Sequence, residues 1–435
     1  MREANPNAWP STTFGNIAIR LVNGGTPPTD VAAFWKGNIP WITGADFTSS
    51  GVGEFRRFVS KAAVASTATN VIEKGELLLV TRTGVGKLAI APCDIAISQD
   101  ITGVYADRKQ VDPAFLYHRM RRGVEDLKKL NQGTSINGII RGDLLKYPID
   151  LPPLPQQERI AEILSTLDEA IEQTEALIAK TQAIKAGLMH DLFTRGVTAN
   201  GELRPPREEA PQLYKDSPLG RIPKEWHCRQ LGELAEVVSG VTLGQPISST
   251  SMEVPYLRVA NVQDGYFDLG EIKTVKVAAT QLAKLILRAG DVLMNEGGDF
   301  DKLGRGAVWN GEISPCIHQN HVFRVRPKAP SIRSYYLAYW SQTAMGRRYF
   351  LVSSKQSTNL ASINSKQLHR FPIAVAAEAE QISIETRLRA LDEQLTELRN
   401  ELVVQRSLKH GLMHDLLTGR VPVPLSEPGA LAVEA

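Results

Sequence analysis

Cysteine is scarce in this chain: its 435 residues include three, Cys93, Cys228 and Cys316. The number is odd, and there is no CxxC spacing and no paired Cys/His cluster. Free thiols are therefore expected, without a disulfide framework or structural zinc. Long hydrophobic runs are missing too. No stretch of about 18 apolar residues occurs that could span a membrane, and the opening MREANPNAWP lacks the apolar segment of a signal peptide. The expectation is a soluble, cytoplasmic protein without membrane attachment. Net charge is only +3, while 43% of the residues are hydrophobic, enough for real cores in about two to four domains.

Catalytic signatures are also absent. TRTGVGKLA (81 to 89) suggests a phosphate loop, but Thr81 stands where that loop needs glycine and Leu88 where a Ser or Thr must reach magnesium. LPPL (151 to 154) superficially resembles the Asn/Asp-Pro-Pro-aromatic motif of amino-methyltransferases. Leu151 and Leu154 supply neither the polar acceptor nor the stacking ring, so its prolines stiffen the entry to a helix. GDFDK (298 to 302) places two acids near a lysine as nuclease metal sites do, but a solvated polar loop uses the same residues. His190 and His414 have no nucleophile or further ligand near them in sequence, which favours helix-end packing or docking over catalysis.

What the chain has is a repeat of itself. GLMHDLFTRGV (187 to 197) and GLMHDLLTGRV (411 to 421) match at eight of eleven positions across an offset of 224. The same offset pairs Gln132 with Gln356, Thr134 with Thr358, Pro148 with Pro372 and Gln157 with Gln381. Upstream, with small shifts, IPWITGADF answers to VPYLRVANV and KGELLLV to AGDVLMN. A period this long exceeds any solenoid repeat, so the pattern predicts duplication of a domain and two like halves about a pseudo-two-fold axis.

Charge follows the repeat. Residues 1 to 150 carry a net +4 and residues 206 to 377 a net +6, against −3 for 151 to 205 and −4 for 378 to 435. Two mildly basic blocks suit a polyanion such as DNA, and equally a solvated surface. Within each block, short apolar runs such as GELLLV (75 to 80), KLAIA (87 to 91), GDVLM (290 to 294) and HVFRV (321 to 325) are bounded by Gly, Pro, Asn or Asp and read as strands.

Each block is followed by a segment of another kind. After Pro155 no Gly or Pro occurs before about Thr194 except Gly187, and Ile160, Leu164, Leu167, Ile171, Ile178 and Leu188 recur at helical spacing. In the second copy Leu388, Leu391, Leu395, Leu398 and Leu402 are spaced 3, 4, 3, 4, the a/d pattern of a coiled coil. The simplest partner for one long apolar stripe is its duplicate, running antiparallel. The alternative is that each helix packs only on its own globular part.

The predicted class is α+β: two strand-rich globular domains joined by two long antiparallel coiled-coil helices. The expected boundaries are 1–150 and 223–373 for the domains, 151–197 and 374–421 for the helices, 198–222 for a polar Pro-rich linker and 422–435 for a disordered tail.

Just before each helix lies a polar cluster, LNQGTSINGIIRGDL (130 to 144) and SSKQSTNLASINSKQL (353 to 368). Such residues can bond base edges and phosphates, and serve turn and cap chemistry equally well.

Two divergent domains, each followed by a similar long helix, with PLPQQERIAEIL opening the first helix and GLM-containing endings closing both, resemble the specificity subunits of type I restriction-modification enzymes. The resemblance covers nearly the whole chain. It implies a non-catalytic subunit whose two target-recognition domains each read half of a bipartite double-stranded DNA sequence. It also implies helices that set the spacer and dock two modification (methyltransferase) subunits, and restriction subunits that complete the complex. No cofactor is expected on this chain; S-adenosylmethionine, ATP and magnesium would belong to the partners.

Under that resemblance the candidate DNA contacts are loop residues or equivalent positions of the two copies. They are Trp41, Thr43, Arg82, Lys87, Gln99, Gln132, Thr134 and Asn137 in the first domain, and Tyr256, Arg258, Asn295, Lys302, Arg305, Gln319, Lys355, Gln356, Thr358 and Asn359 in the second. Trp41 and Tyr256 fit a core position equally well. One departure stands out: PIAVAAEAEQISI (372 to 384) lacks the Pro152, Pro153, Pro155 and Arg159 of the first copy. It predicts a second helix that begins earlier or docks differently. A protein-binding scaffold and a nuclease resting on Asp299 and Asp301 are the rival readings.

Overall fold

The computed structural model describes residues 9–48, 51–123, 126, 128, 131, 132, 138–244, 251–298, 303–356 and 361–424. The chain divides into two compact units, Met1–Ile178 with Leu398–Ala435, and Ala179–Glu397. The division falls inside the two long helices, so each unit contains one strand-rich block and a part of both helices.

In the first unit a four-stranded sheet runs in the order Ala18–Asn23, Ile101–Ala106, Leu77–Val80, Leu88–Ile90, every neighbour antiparallel. A second sheet runs Phe58–Val59, Ile39–Ile42, Ile95–Ile97, Asn70–Ile72, and its central pair is parallel. The run LLLV explains why these sheets share one block. Side chains alternate across a strand, so Leu77 and Leu79 enter a core with Val104, Phe115 and Met120, while Leu78 and Val80 enter another with Ile42, Ile72 and Ile97. All four are buried. The helix Pro113–Arg122 covers the first core, opened by Pro113 and capped by the Asp112 carboxylate, which accepts from Phe115 N–H.

The second unit repeats this topology. One sheet is ordered Ala235–Ser239, Val322–Pro327, Val292–Asn295, Gly306–Val308; in the other Lys273–Val277 and Ile317–His318 flank Met252–Leu257, the latter pair parallel. In both units the strand that opens the block closes on the one that precedes the long helix: Ser11–Thr13 with Pro148–Asp150, and His227–Gln230 with Pro372–Val375.

The long helices are Leu154–Thr194 and Glu378–Leu416. Their first residues are 224 apart, so the second helix does not begin early despite its missing prolines. A buried glutamine fixes both starts. Gln157 accepts from Asp112 N–H and donates to the Gln110 and Pro152 carbonyls. Gln381 accepts from Arg333 N–H and donates to the Ala376 carbonyl. The side chain that registers each helix on its block is thus unaffected by what precedes it.

Within each unit the two helical segments run antiparallel. In the first unit, Lys409 pairs with Asp168 and Arg406 with Glu175; in the second, Lys185 pairs with Asp392. Ile160, Leu164, Leu388, Leu395 and Leu398 are buried, while Leu167, Ile171, Ile178, Leu188, Leu391 and Leu402 are half-buried. Thr174, Thr181 and Lys409 are buried among them at the same spacing. The two lysines occupy seam positions, which is why the apolar pattern lapses there, and each is satisfied by an aspartate of the opposite helix. Burial pushes the Lys409 ammonium below its ordinary value, and its bond to Asp168 partly opposes this.

The repeated helix endings pack into the cores. Leu192 and Phe193 enter the core of the second unit, where the Phe193 ring lies 5.2 Å from Tyr336 and 5.7 Å from Trp340. Leu416 and Leu417 enter the core of the first. The apolar residues of both endings thus pack within the chain.

Gly196 ends the first helix at φ +66°, and a Cβ there would lie 2.7 Å from the Trp226 ring and closer still to Glu380 and Arg204. Gly196→Ala is expected to cost about 2 kcal/mol or more, from left-handed strain plus steric conflict, read as a lower midpoint in denaturant unfolding.

Residues 198–222 form an ordered connection. It contains the antiparallel pair Tyr214–Ser217 and Gly220–Pro223, and the Tyr214 hydroxyl donates to the Pro205 carbonyl at 2.6 Å.

Candidate nucleic-acid interface

In the first unit several loops meet at one end of the first sheet. Beyond Val80, Thr81 N–H donates to the Asp100 carbonyl at 2.8 Å, and the Thr81 carbonyl accepts from Ile139 N–H at 2.8 Å. The 81 to 87 turn is thereby tied to the 98 to 100 turn and to the hairpin Asn131–Gln132 with Gly138–Ile139. Lys87 Nζ donates to the Gly44 carbonyl at 2.8 Å, adding the turn that Thr43 caps.

The structure therefore brings Thr43, Arg82, Lys87, Gln99 and the hairpin of Gln132 together. Arg82, Lys87 and Gln99 are exposed, and Gln99 accepts from the Thr26 hydroxyl. Thr134 and Asn137 lie outside the described residues, as does the side chain of Gln132.

Trp41 does not belong to this surface. It is 3% exposed, its indole N–H donates to the Gly25 carbonyl and to Thr69 Oγ1, and the Arg57 guanidinium covers its ring at 4.5 Å. The core position is correct because alternation along Ile39–Ile42 turns Trp41 inward.

Sequence reasoning missed the neighbours of Thr43. Asp46 is buried and takes hydrogen bonds from Arg56, Arg57 and the Thr43 hydroxyl and N–H. Burial pushes its carboxyl up, but the bonds from Arg56 and Thr43 outweigh this and hold it below the ordinary carboxylate value. The result is two partly exposed guanidinium groups fixed beside the turn. The doublet Arg56-Arg57 was the available signal.

The second unit builds the same frame. Glu296 N–H donates to the His321 carbonyl at 2.9 Å, and the Glu296 carbonyl accepts from Ile363 N–H at 2.9 Å. Gly297–Gly298, Ala361–Ser362 and Lys355–Gln356 pair beside it. Arg258 is held by Asn261 and the Glu271 carbonyl. Half-buried Arg305 reaches Gln263, and half-buried Gln319 pairs through its main chain with Leu257. Lys355 is exposed.

Two further candidates are interior. Tyr256 is 5% exposed in a core with Val254 and Ile317, and Asn295 is 1% exposed with its amide donating to the Val262 carbonyl. Both are inward positions of their strands, so they support the loops from beneath. Asp299, Asp301, Lys302, Thr358, Asn359 and the side chain of Gln356 lie outside the described residues. Sequence reasoning also missed His321, whose ring Nδ1 stands 2.6 Å from Glu296 Oε2.

Fold and site define a scaffold of two units with one topology, each presenting polar and basic side chains from a common loop frame. The family model for the type I restriction modification DNA specificity domain matches residues 7–182 and 223–405, and the chain belongs to that family.

It is 23% identical over 424 residues to the type I restriction enzyme MjaVIII specificity subunit of Methanocaldococcus jannaschii, covering 96% of this chain and 94% of that one. It is 26% identical over 266 residues to the MjaIX specificity subunit of the same organism, covering 60% of this chain and 59% of that one. The crystal structure of a type I restriction-modification system S subunit from M. genitalium superposes with a TM-score of 0.63 at 17% identity, over 96% of this chain and 98% of that one. That likeness establishes the fold. No helix among the described residues is long and apolar enough to cross a membrane.

Proposed function

We propose that this chain is the sequence-specificity subunit of a cytoplasmic type I restriction-modification complex and catalyses no reaction itself. Each unit reads one half of a bipartite double-stranded DNA target. The paired helices, a duplicated antiparallel coiled coil with Ile160, Leu164, Leu167, Ile171, Ile178, Leu188, Leu388, Leu391, Leu395, Leu398 and Leu402 in its seam, set the spacer and dock two modification subunits. Restriction subunits complete the assembly. S-adenosylmethionine, ATP and magnesium act in the partners.

One observation carries this reading: a single loop frame occurs twice, hydrogen-bonded alike around Thr81 and around Glu296, with different side chains on it. A shared frame with divergent side chains suits two readers of different sequences. Arg82, Lys87, Arg305 and Lys355 supply the phosphate contacts, while Thr43, Gln99 and Gln319 contact base edges.

Exchanging residues 1–150 for those of a relative with another target tests it. Mapping of methylated sites is expected to show one half-site replaced and the other half-site and spacer kept. Alteration of both half-sites would sink the reading.

A further inference from the structure

The two frames superimpose in pattern down to single positions. Ser98 N–H donates to the Ile42 carbonyl and Ile101 N–H to the Ser98 carbonyl, at 2.9 and 3.1 Å; Gln319 N–H donates to Leu257 and Val322 N–H to Gln319, both at 2.9 Å. Together with the bonds of Thr81 and Glu296, this register makes Asp100 the counterpart of His321, and Thr81 the counterpart of Glu296. The correspondence of Asp100 with His321 was not visible in the aligned segments, because the offset shifts from 215 at Thr81 to 221 at Asp100.

Different as they are, the two side chains offer the same chemistry. Asp100 is half-exposed, and its carboxylate is unpaired among the described residues. A carboxylate only accepts. His321 has a side chain 58% exposed, and its Nδ1 faces the Glu296 carboxylate. Since that carboxylate accepts, Nδ1 carries the ring proton in this pair, and in the Nδ1–H tautomer the other nitrogen, Nε2, is the acceptor.

An acceptor beside DNA is repelled by phosphate. What it fits in the major groove is a donor, and the donors there are the exocyclic amino groups of adenine and cytosine. The nearby cations leave the acceptors free for this: Arg82 N–H donates to the Asp100 carbonyl while its side chain is exposed, and Lys355 is exposed on the hairpin bonded to Glu296.

We propose that Asp100 in the first unit and His321 in the second each accept a hydrogen bond from the exocyclic amino group of a target base, with Glu296 as the residue that positions His321. This rests on the reading of the chain as a DNA specificity subunit.

The test uses the full chain assembled with its modification subunits, methylating a library of random duplexes that is then sequenced for modified sites. Asp100→Ala is expected to lose discrimination at one base pair of one half-site, by about tenfold or more, and Asp100→Asn, whose amide oxygen still accepts, to lose it only in part. His321→Ala does so at one base pair of the other half-site. Whether the relaxed position held adenine or cytosine identifies the amino group. Glu296→Ala relaxes the same base pair as His321→Ala, and Glu296→Gln, whose amide oxygen still accepts from Nδ1, restores it; a merely structural role would not confine the effect to that base pair. Full discrimination at every position in the Asp100 and His321 variants overturns the assignment. A parent complex that shows no bipartite preference overturns the underlying reading instead, which separates the two failures.

Discussion

Replacing Glu380 by alanine is expected to lower the stability of the second unit by about 3–5 kcal/mol, the usual cost of removing one partner from a buried ion pair. Glu380 is 9% exposed at its side chain, and four donors converge on it. Arg204 reaches both oxygens, Val197 N–H donates at 2.7 Å, and the Trp226 indole N–H donates at 3.0 Å. Arg204 is itself 10% exposed at its side chain. Burial acts to lower its pKa, and the bond to Glu380 together with the charges of Glu380 and Glu225 outweighs that and holds it above the ordinary value.

Alanine strands a buried guanidinium, an indole N–H and a backbone N–H at once. These groups come from the helix ending, the connection and the opening of the second block, so one carboxylate joins three segments of the unit. Glu380→Gln should cost less, because its amide oxygen keeps part of the geometry while the charge is lost. Denaturant unfolding of the three proteins gives the comparison. A loss below about 1 kcal/mol for the alanine variant would show that Arg204 is solvated rather than held.

Glu380 also illustrates what the sequence could and could not disclose. The loss of prolines in PIAVAAEAEQISI was visible, yet its consequence was not an earlier helix start. It was a charged residue at the place of Gln156, used by an arginine 176 residues away. Local periodicity marked the strands, the helices and the repeat, because alternation and helical spacing are set by neighbouring residues. Gln157 and Gln381 stood out as a repeated pair, and their shared role in registering the helix explains the identity. Long-range pairing was hidden. Trp41 and Tyr256 are turned inward by sheets whose partners lie far along the chain, and Glu296 meets His321 across 25 residues. Lys185 and Lys409 look like interruptions of a seam until Asp392 and Asp168 are placed opposite them.

Acid is expected to destabilise both units through two buried histidines. His118 lies in the first unit on the helix Pro113–Arg122, 1% exposed, 3.1 Å from the Ser165 hydroxyl and 3.9 Å from Asp168, with Lys409 and Arg121 near. Burial lowers its pKa to about 4, and Asp168 only partly opposes this. His318 lies in the second unit, wholly buried, also lowered to about 4 chiefly by burial. Its Nδ1 is 2.6 Å from the Val322 carbonyl, which can only accept, so that nitrogen carries the proton; Nε2 has no hydrogen-bond partner among the described residues. A second proton would therefore be a charge without solvation at His318, and one only partly compensated by Asp168 at His118.

Both folded values lie below the ordinary histidine value of 6.5, so between pH 6.5 and 4 the unfolded chain binds more protons than the folded one. Stability then rises with pH across that window and falls as pH drops through it, by about 1.4 kcal/mol per pH unit for each histidine. Integrated over the window the loss reaches about 3 kcal/mol per unit of the fold, and below pH 4 the two rings add no further slope. Unfolding free energy measured from pH 7 to 4 should show this dependence, and His118→Leu should remove the contribution of the first unit alone. Stability unchanged over that range would mean that the rings protonate within the fold at their ordinary value, and hence that their burial is not maintained in solution.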